Sequence, residues 1–156
     1  MNESIPQDDA QESRRQLHDL IDRNEIADLV SRLGIWLDDK RFDDGRSIFT
    51  EDATATTPGG SVQGVDHMAE QARRNHAVER TQHVITNVLI DLEGDRATVR
   101  ANLIARLVDR ADAPGYHFDI GERYDFEAVR TPAGWRFNRV QSSPVWTSGS
   151  RNGRPV

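Results

Sequence analysis

The sequence contains no cysteine at all. Disulfides, thiolate metal sites and cysteine nucleophiles are therefore excluded, and a reducing compartment is the natural expectation. Long apolar runs are also missing. Every hydrophobic stretch falls well short of the ~20 residues that cross a bilayer, so no membrane span is expected. A basic stripe is absent too: 20 basic residues are interleaved with 26 acidic ones for a net charge of −6. Neither a nucleic-acid nor a membrane partner is expected from such a surface. The opening segment MNESIPQDDAQESRRQ lacks the basic-then-apolar pattern of a signal peptide, which points to the cytoplasm. No GxSxG, HxxxH or HxH spacing occurs, and no phosphate-cradling glycine motif. A cofactor-free site without metal is the expectation.

What remains is 156 residues, 36% hydrophobic and 29% charged, enough for one domain with its own core. Residues 1–15 read as a mobile arm, 16–147 as the folded domain, and 148–156 as a flexible tail. From Gln16 to Asp38 the apolar residues Ile26, Leu29, Val30, Leu33 and Leu37 recur at spacings of three and four, the stripe of an amphipathic helix. Further helices are predicted over 43–49 and 66–75, with a short strand at 53–57 between them. After residue 80 the period changes to two. Strands are predicted over 81–92, 97–108, 116–129 and 135–142, with turns at Gly94, Pro114-Gly115 and Gly134. Helices first and an antiparallel meander afterwards is an α+β arrangement.

Strict alternation along 81–92 puts His83, Ile85, Asn87 and Leu89 on one face and Val84, Val88, Ile90 and Leu92 on the other. The first face is expected to meet the helices. The second needs cover of its own, which predicts a homodimer or homotrimer joined through the sheets.

Without cysteine, reactive chemistry falls to histidines and carboxylates. His18, His67 and His76 are expected to be solvent-facing or helix-end residues. His83 differs, because a strand imidazole turned towards helices must find hydrogen bonds or face a pocket. Asp38 is its best partner. At ~100° per residue Asp38 lies about 120° from the centre of the apolar stripe, at a pocket rim, and Asp39 about 220° away, in water. A carboxylate at a helix C-terminus opposes the dipole, so something else must hold it there. Tyr116 and His117, beside the Pro-Gly loop, are candidates to line a pocket mouth, and Trp36 on the first helix is a further substrate-binding candidate.

Three segments carry a resemblance. DRNEIADLVSRLGIWLDDKRFDDGRSIFTEDA is similar to the opening helices of SnoaL-like proteins of the nuclear-transport-factor-2-like (cystatin-like cone) superfamily. TQHVITNVLIDLEGDRATVRA resembles that family's histidine strand, with Asn four residues after His, and GERYDFEAVRTPAGWRFNRV its last two strands. The resemblance spans residues 17–147 and implies a cone-shaped α+β barrel, a curved, mainly antiparallel sheet wrapped around three N-terminal helices. The family includes scytalone dehydratase, bile acid 7α-dehydratase, hexachlorocyclohexane dehydrochlorinase and polyketide cyclases. In its dehydratase and dehydrochlorinase branch a sheet His is the general base and an Asp ending the first helix orients it. These positions match His83 and Asp38, with Asn87 matching the following Asn and Arg130 the basic residue of the penultimate strand. The tyrosine that several dehydratases carry five residues before the Asp is replaced by Leu33.

The expectation is a cofactor-independent lyase, isomerase or cyclase acting on a small apolar ring compound. His83 takes a proton, Asp38 fixes its tautomer, and Asn87, Arg130 and His117 orient substrate or stabilise charge. The competing reading is a non-catalytic small-molecule-binding cone or an assembly subunit resembling the small subunit of ring-hydroxylating dioxygenases.

Overall fold

A computed structural model describes residues 7–151 and 154–155. Helix α1 (Gln7–Asp38) leads into a short 3-10 helix (Phe42–Ser47), then strands β1 (Phe49–Thr57) and β2 (Gly60–Gln63) and helix α2 (Val65–Asn75). Four long strands follow: β3 (Arg80–Glu93), β4 (Arg96–Val108), β5 (His117–Thr131) and β6 (Gly134–Arg151), with a two-residue β7 (Arg154–Pro155) paired to β6. The sheet runs β2-β1-β6-β5-β4-β3 and does not close. Every pairing is antiparallel except β1 with β6. The result is the α+β architecture anticipated, with the second of the three expected helices, 43–49, a 3-10 helix over Phe42–Ser47. Among the described residues no helix is long and apolar enough to cross a membrane.

The helical stripe folds as its spacing dictates: Ile26, Leu29, Val30, Leu33 and Leu37 are all buried against the sheet. Helix α1 begins earlier than predicted, so residues 7–15 of the expected arm are helical; residues 1–6 lie outside the described residues. At the other end β6 runs on to Arg151, taking in 148–151 of the expected tail, while 152, 153 and 156 lie outside the described residues.

Strand β4 keeps perfect alternation, with Ala97, Val99, Ala101, Leu103, Ala105 and Leu107 inward. The three alanines leave the inner face shallow. Aromatic side chains fill one end of the cone: Phe126 stacks on Phe137 at 4.5 Å and meets Tyr124 edge-on at 5.2 Å.

Strand β3 departs from the simple alternation. Between Thr86, opposite Asn102, and Leu89, opposite Arg100, it carries one extra residue, and Asn87 takes a left-handed conformation with φ 55°. This β-bulge reverses the side-chain phase. Ile90 and Leu92 pack against the core and Leu89 faces outward at 58% exposure, the opposite of the alternation expected for all three.

Candidate active site

Asp38 is the last residue of α1, and the helix end is locked behind it. Lys40 takes the left-handed conformation (φ 53°), while Arg41 N–H donates to the Trp36 carbonyl at 3.0 Å and Lys40 N–H to that of Leu37 at 3.3 Å. This is a Schellman closure. The Lys40 ammonium then donates to the Val78 carbonyl, tying the helix end to the segment that enters β3.

The Asp38 carboxylate reaches β3 directly. The His83 ring Nδ1 lies 2.6 Å from Oδ1, the His83 backbone N–H donates to Oδ2 at 2.9 Å, and the Thr81 hydroxyl donates to Oδ1 at 3.1 Å. These bonds hold an acid against the unfavourable dipole. Burial alone would raise the Asp38 carboxyl, but the bonds from His83 and Thr81 outweigh it and hold the group below the ordinary carboxylate range. With an ionised acceptor at Nδ1, that nitrogen carries the proton and Nε2 of neutral His83 keeps its lone pair. Asp39, one residue on, is exposed.

His83 is one wall of a cavity of about 240 Å³. Leu103, Ala105 and Leu107 from β4 and Phe118, Ile120 and Tyr124 from β5 give it an apolar floor; the Thr57–Gly59 turn and the end of α2 form its rim. The ring of His76, at the C-cap of α2, stands against His83 with Nε2 to Nε2 at 3.2 Å.

Two cavity groups were not singled out from sequence. Glu122 is 8% exposed and its carboxylate accepts from the Ser142 hydroxyl at 3.3 Å. Burial pushes its carboxyl above the ordinary range, only partly offset by Ser142 and the nearby His83. Tyr124 beside it is also shifted upward, by burial and by Glu122. The signal for Glu122 was available: it alternates with Phe118, Ile120, Tyr124 and Phe126 in the inward positions of β5. His76 carried no such signal, since its helix-end position looks the same whether the ring meets water or a partner.

The other candidates lie elsewhere. Asn87 sits on the outer side of the bulge, because the extra residue turns it away from His83. Arg130 is committed to structure: it clasps Asp22 through two bonds of 2.9 and 2.6 Å, also binds Asp95 at 2.7 Å, and lies over the Trp135 ring at 4.7 Å. Asp22 precedes Asp38 by sixteen residues, about 24 Å along a helix, which places this cluster far from the cavity. His117 starts β5 on the side opposite Phe118 and contacts Asp119 at 3.5 Å. Tyr116 is 64% exposed in the preceding turn. Trp36 is buried edge-on between Phe42 and Phe49. None of these five lines the cavity. Among the described residues no three His, Asp or Glu side chains are grouped so as to hold a metal ion.

Comparison with known proteins agrees with this architecture. A solved NTF2-like protein with a cystatin-like fold from Novosphingobium aromaticivorans superposes with a TM-score of 0.77 at 23% identity, covering 90% of this chain and 92% of that one. The hexachlorocyclohexane dehydrochlorinase LinA-type3 from Novosphingobium barchaimii LL02 superposes with a TM-score of 0.73 at 19% identity, covering 90% and 98%. An uncharacterized protein of Mycobacterium tuberculosis (Rv2910c) is 31% identical over 126 residues, 78% of this chain and 84% of its own length. The family model of the SnoaL-like domain matches residues 18–141, and with that match over most of its length the chain belongs to the SnoaL-like family, in the NTF2-like, cystatin-like fold.

Proposed function

We propose that the protein is a cofactor-independent enzyme that removes a proton next to a leaving group or carbonyl of a small, largely apolar ring compound. One observation carries the reading: a buried imidazole, held by a carboxylate at Nδ1, opens onto an apolar cavity that also holds the Glu122 carboxyl, which burial pushes above its ordinary range. Glu122, raised by burial, suits the acid role, and Asp38, held low, suits an orienting partner for the base. His83 Nε2 takes the proton; the C–H electron pair forms the new double bond; the leaving group departs with its own bonding pair and the Glu122 proton. Asp38 stabilises the imidazolium that results. The volume favours a single ring with few substituents. The likeness in fold to a hexachlorocyclohexane dehydrochlorinase supports an elimination. A cytoplasmic location belongs to the same reading.

The test is a panel of cyclic β-hydroxy ketones and halogenated cyclohexanes incubated with the protein and with His83→Ala. Appearance of the unsaturated product with the parent protein and its absence with the variant is expected. Tight binding of a panel member without turnover, unchanged in His83→Ala, would favour the binding-module reading.

A second copy of the chain is the proposed partner. Val84, Ile104 and Trp146 lie in one row across the outer face, through the register pairs Val84–Ile104, Ile104–Gly121 and Gly121–Trp146. The Trp146 ring covers Gly121 so closely that a Cβ there would collide with it. Each of the three large side chains is between 44% and 53% exposed. An apolar row of this kind suits a homodimer or homotrimer joined through the sheets.

A further inference from the structure

Each ring nitrogen of His76 has a neighbour within hydrogen-bond distance. Its Nδ1 lies 2.7 Å from the Ala72 carbonyl oxygen, which can only accept, so Nδ1 carries a proton. His83 Nδ1, 2.6 Å from the Asp38 carboxylate, carries one for the same reason. Each neutral ring is therefore left with a lone pair at Nε2. Those two lone pairs face each other across 3.2 Å, with the ring centroids 5.0 Å apart. Two acceptors at this distance make no hydrogen bond. One added proton turns the contact into an N–H donated from one imidazole to the other.

We propose that His76 and His83 hold a single proton between their Nε2 atoms, and that His76 is the acceptor to which His83 donates the proton it has taken from substrate. The inference rests on the reading of His83 as the general base. In that step the substrate C–H bond breaks, its electron pair stays in the product double bond, and the proton bonds to His83 Nε2. The new N–H then points at a lone pair, so both N–H groups of the imidazolium are paired, one to Asp38 and one to His76. Before the step the facing lone pairs repel, which favours opening of the contact and exposes Nε2 to substrate. Among the described residues, the charged or titratable groups around the pair include Asp38 from α1, bonded to His83, and, in the cavity, Glu122 and Tyr124 from β5. Asp38 balances one positive charge on the pair. A second proton would set two cations side by side and is opposed.

The experiment is long-range proton–nitrogen NMR on the full chain with labelled histidine, without substrate, from about pH 8 to about pH 5. At the upper end both rings are expected as Nδ1–H tautomers. On acidification one proton is expected to enter the pair as a unit, giving one far-downfield proton resonance correlated with both Nε2 nuclei. His76→Phe keeps a ring against Phe42 and His83 and should lose that resonance. His76→Gln, a second variant should the first fail to fold, offers an amide that bonds but cannot take the proton, and should lose it too. An Nε2–H tautomer in either uncharged ring, or protons taken up by the two rings independently, would overturn the proposal. With substrate, His76→Phe should lower kcat about tenfold or more with KM little changed. The two readings separate. A missing shared-proton signal together with an inactive His83→Ala removes this inference and leaves the base. A signal present while His83→Ala stays fully active removes the proton-transfer role itself.

Discussion

Asp38 and Glu122 both stand beside His83, and their surroundings drive them in opposite directions. Asp38 accepts three hydrogen bonds and is held below its ordinary range, so its contribution to stability is present above the ordinary Asp range and lost as pH falls through its lowered value. Glu122 is raised by burial, so the folded state binds its proton more tightly than the unfolded chain. Its sign is reversed: stability is highest below the ordinary Glu range and declines as pH rises towards its raised value. Glu122→Gln should remove that decline. Chemical denaturation of both proteins at a series of pH values is expected to show the variant gaining on the parent as pH rises above the ordinary Glu range. A difference independent of pH would mean that Glu122 is ionised in the folded protein. The same substitution should lower turnover by about 10²–10³-fold, since it removes the acid and leaves the base.

At the scale of elements, α1 is anchored at two points, one for structure and one for chemistry. Asp22 holds Arg130 and accepts from the Trp135 indole at 3.0 Å, and the Arg130 bond leads the influences that hold its carboxyl below the ordinary range. Asp22→Ala leaves that indole unpaired and the Arg130 guanidinium with Asp95 alone, and should cost about 1–2 kcal/mol in denaturant titrations, with the cavity geometry kept. The bulge in β3 tests differently. Asn87→Gly should change stability by less than about 0.5 kcal/mol, whereas Asn87→Val, a branched residue forced into the left-handed region, should lose about 1–2 kcal/mol. Equal stability of the two would show that the bulge relaxes without cost. This bulge also marks the limit of what could be read from sequence. The phases of helix and strand were enough to bring Asp38 and His83 onto facing surfaces, because neither α1 nor the stretch before Thr86 is interrupted. Beyond Thr86 the period-two count fails by one residue, which misplaces Asn87, Leu89, Ile90 and Leu92 together. Arg130 was misjudged for another reason: its partner Asp22 lies 108 residues away, and no local pattern reveals a long-range ion pair.

On the scale of the whole molecule, the cone is packed at one end and hollow at the other. Phe126 and Phe137 close one end, while the alanines of β4 and the short side chains near the rim leave room beside His83. The outer face carries the row formed by Val84, Ile104 and Trp146, which a second copy is expected to cover. Sedimentation at micromolar concentration should show a dimer or trimer, and Ile104→Glu should shift it to monomer with little loss of thermal stability in the separated chain. A monomeric parent protein would contradict the proposed self-association.

The central claim is that Asp38 and His83 act together as a general base while Asp39 does not take part. It is tested most directly by single-turnover measurement of proton release from a substrate found in the panel, comparing Asp38→Asn with Asp39→Asn at equal folded fraction. A loss of about 10²-fold or more is expected for Asp38→Asn, because the amide NH2 can donate to Nδ1 and so favour the Nε2–H tautomer, which has no lone pair left to take the proton, and a rate within about twofold of the parent is expected for Asp39→Asn. Equal losses in the two variants, or full activity in Asp38→Asn, would contradict it.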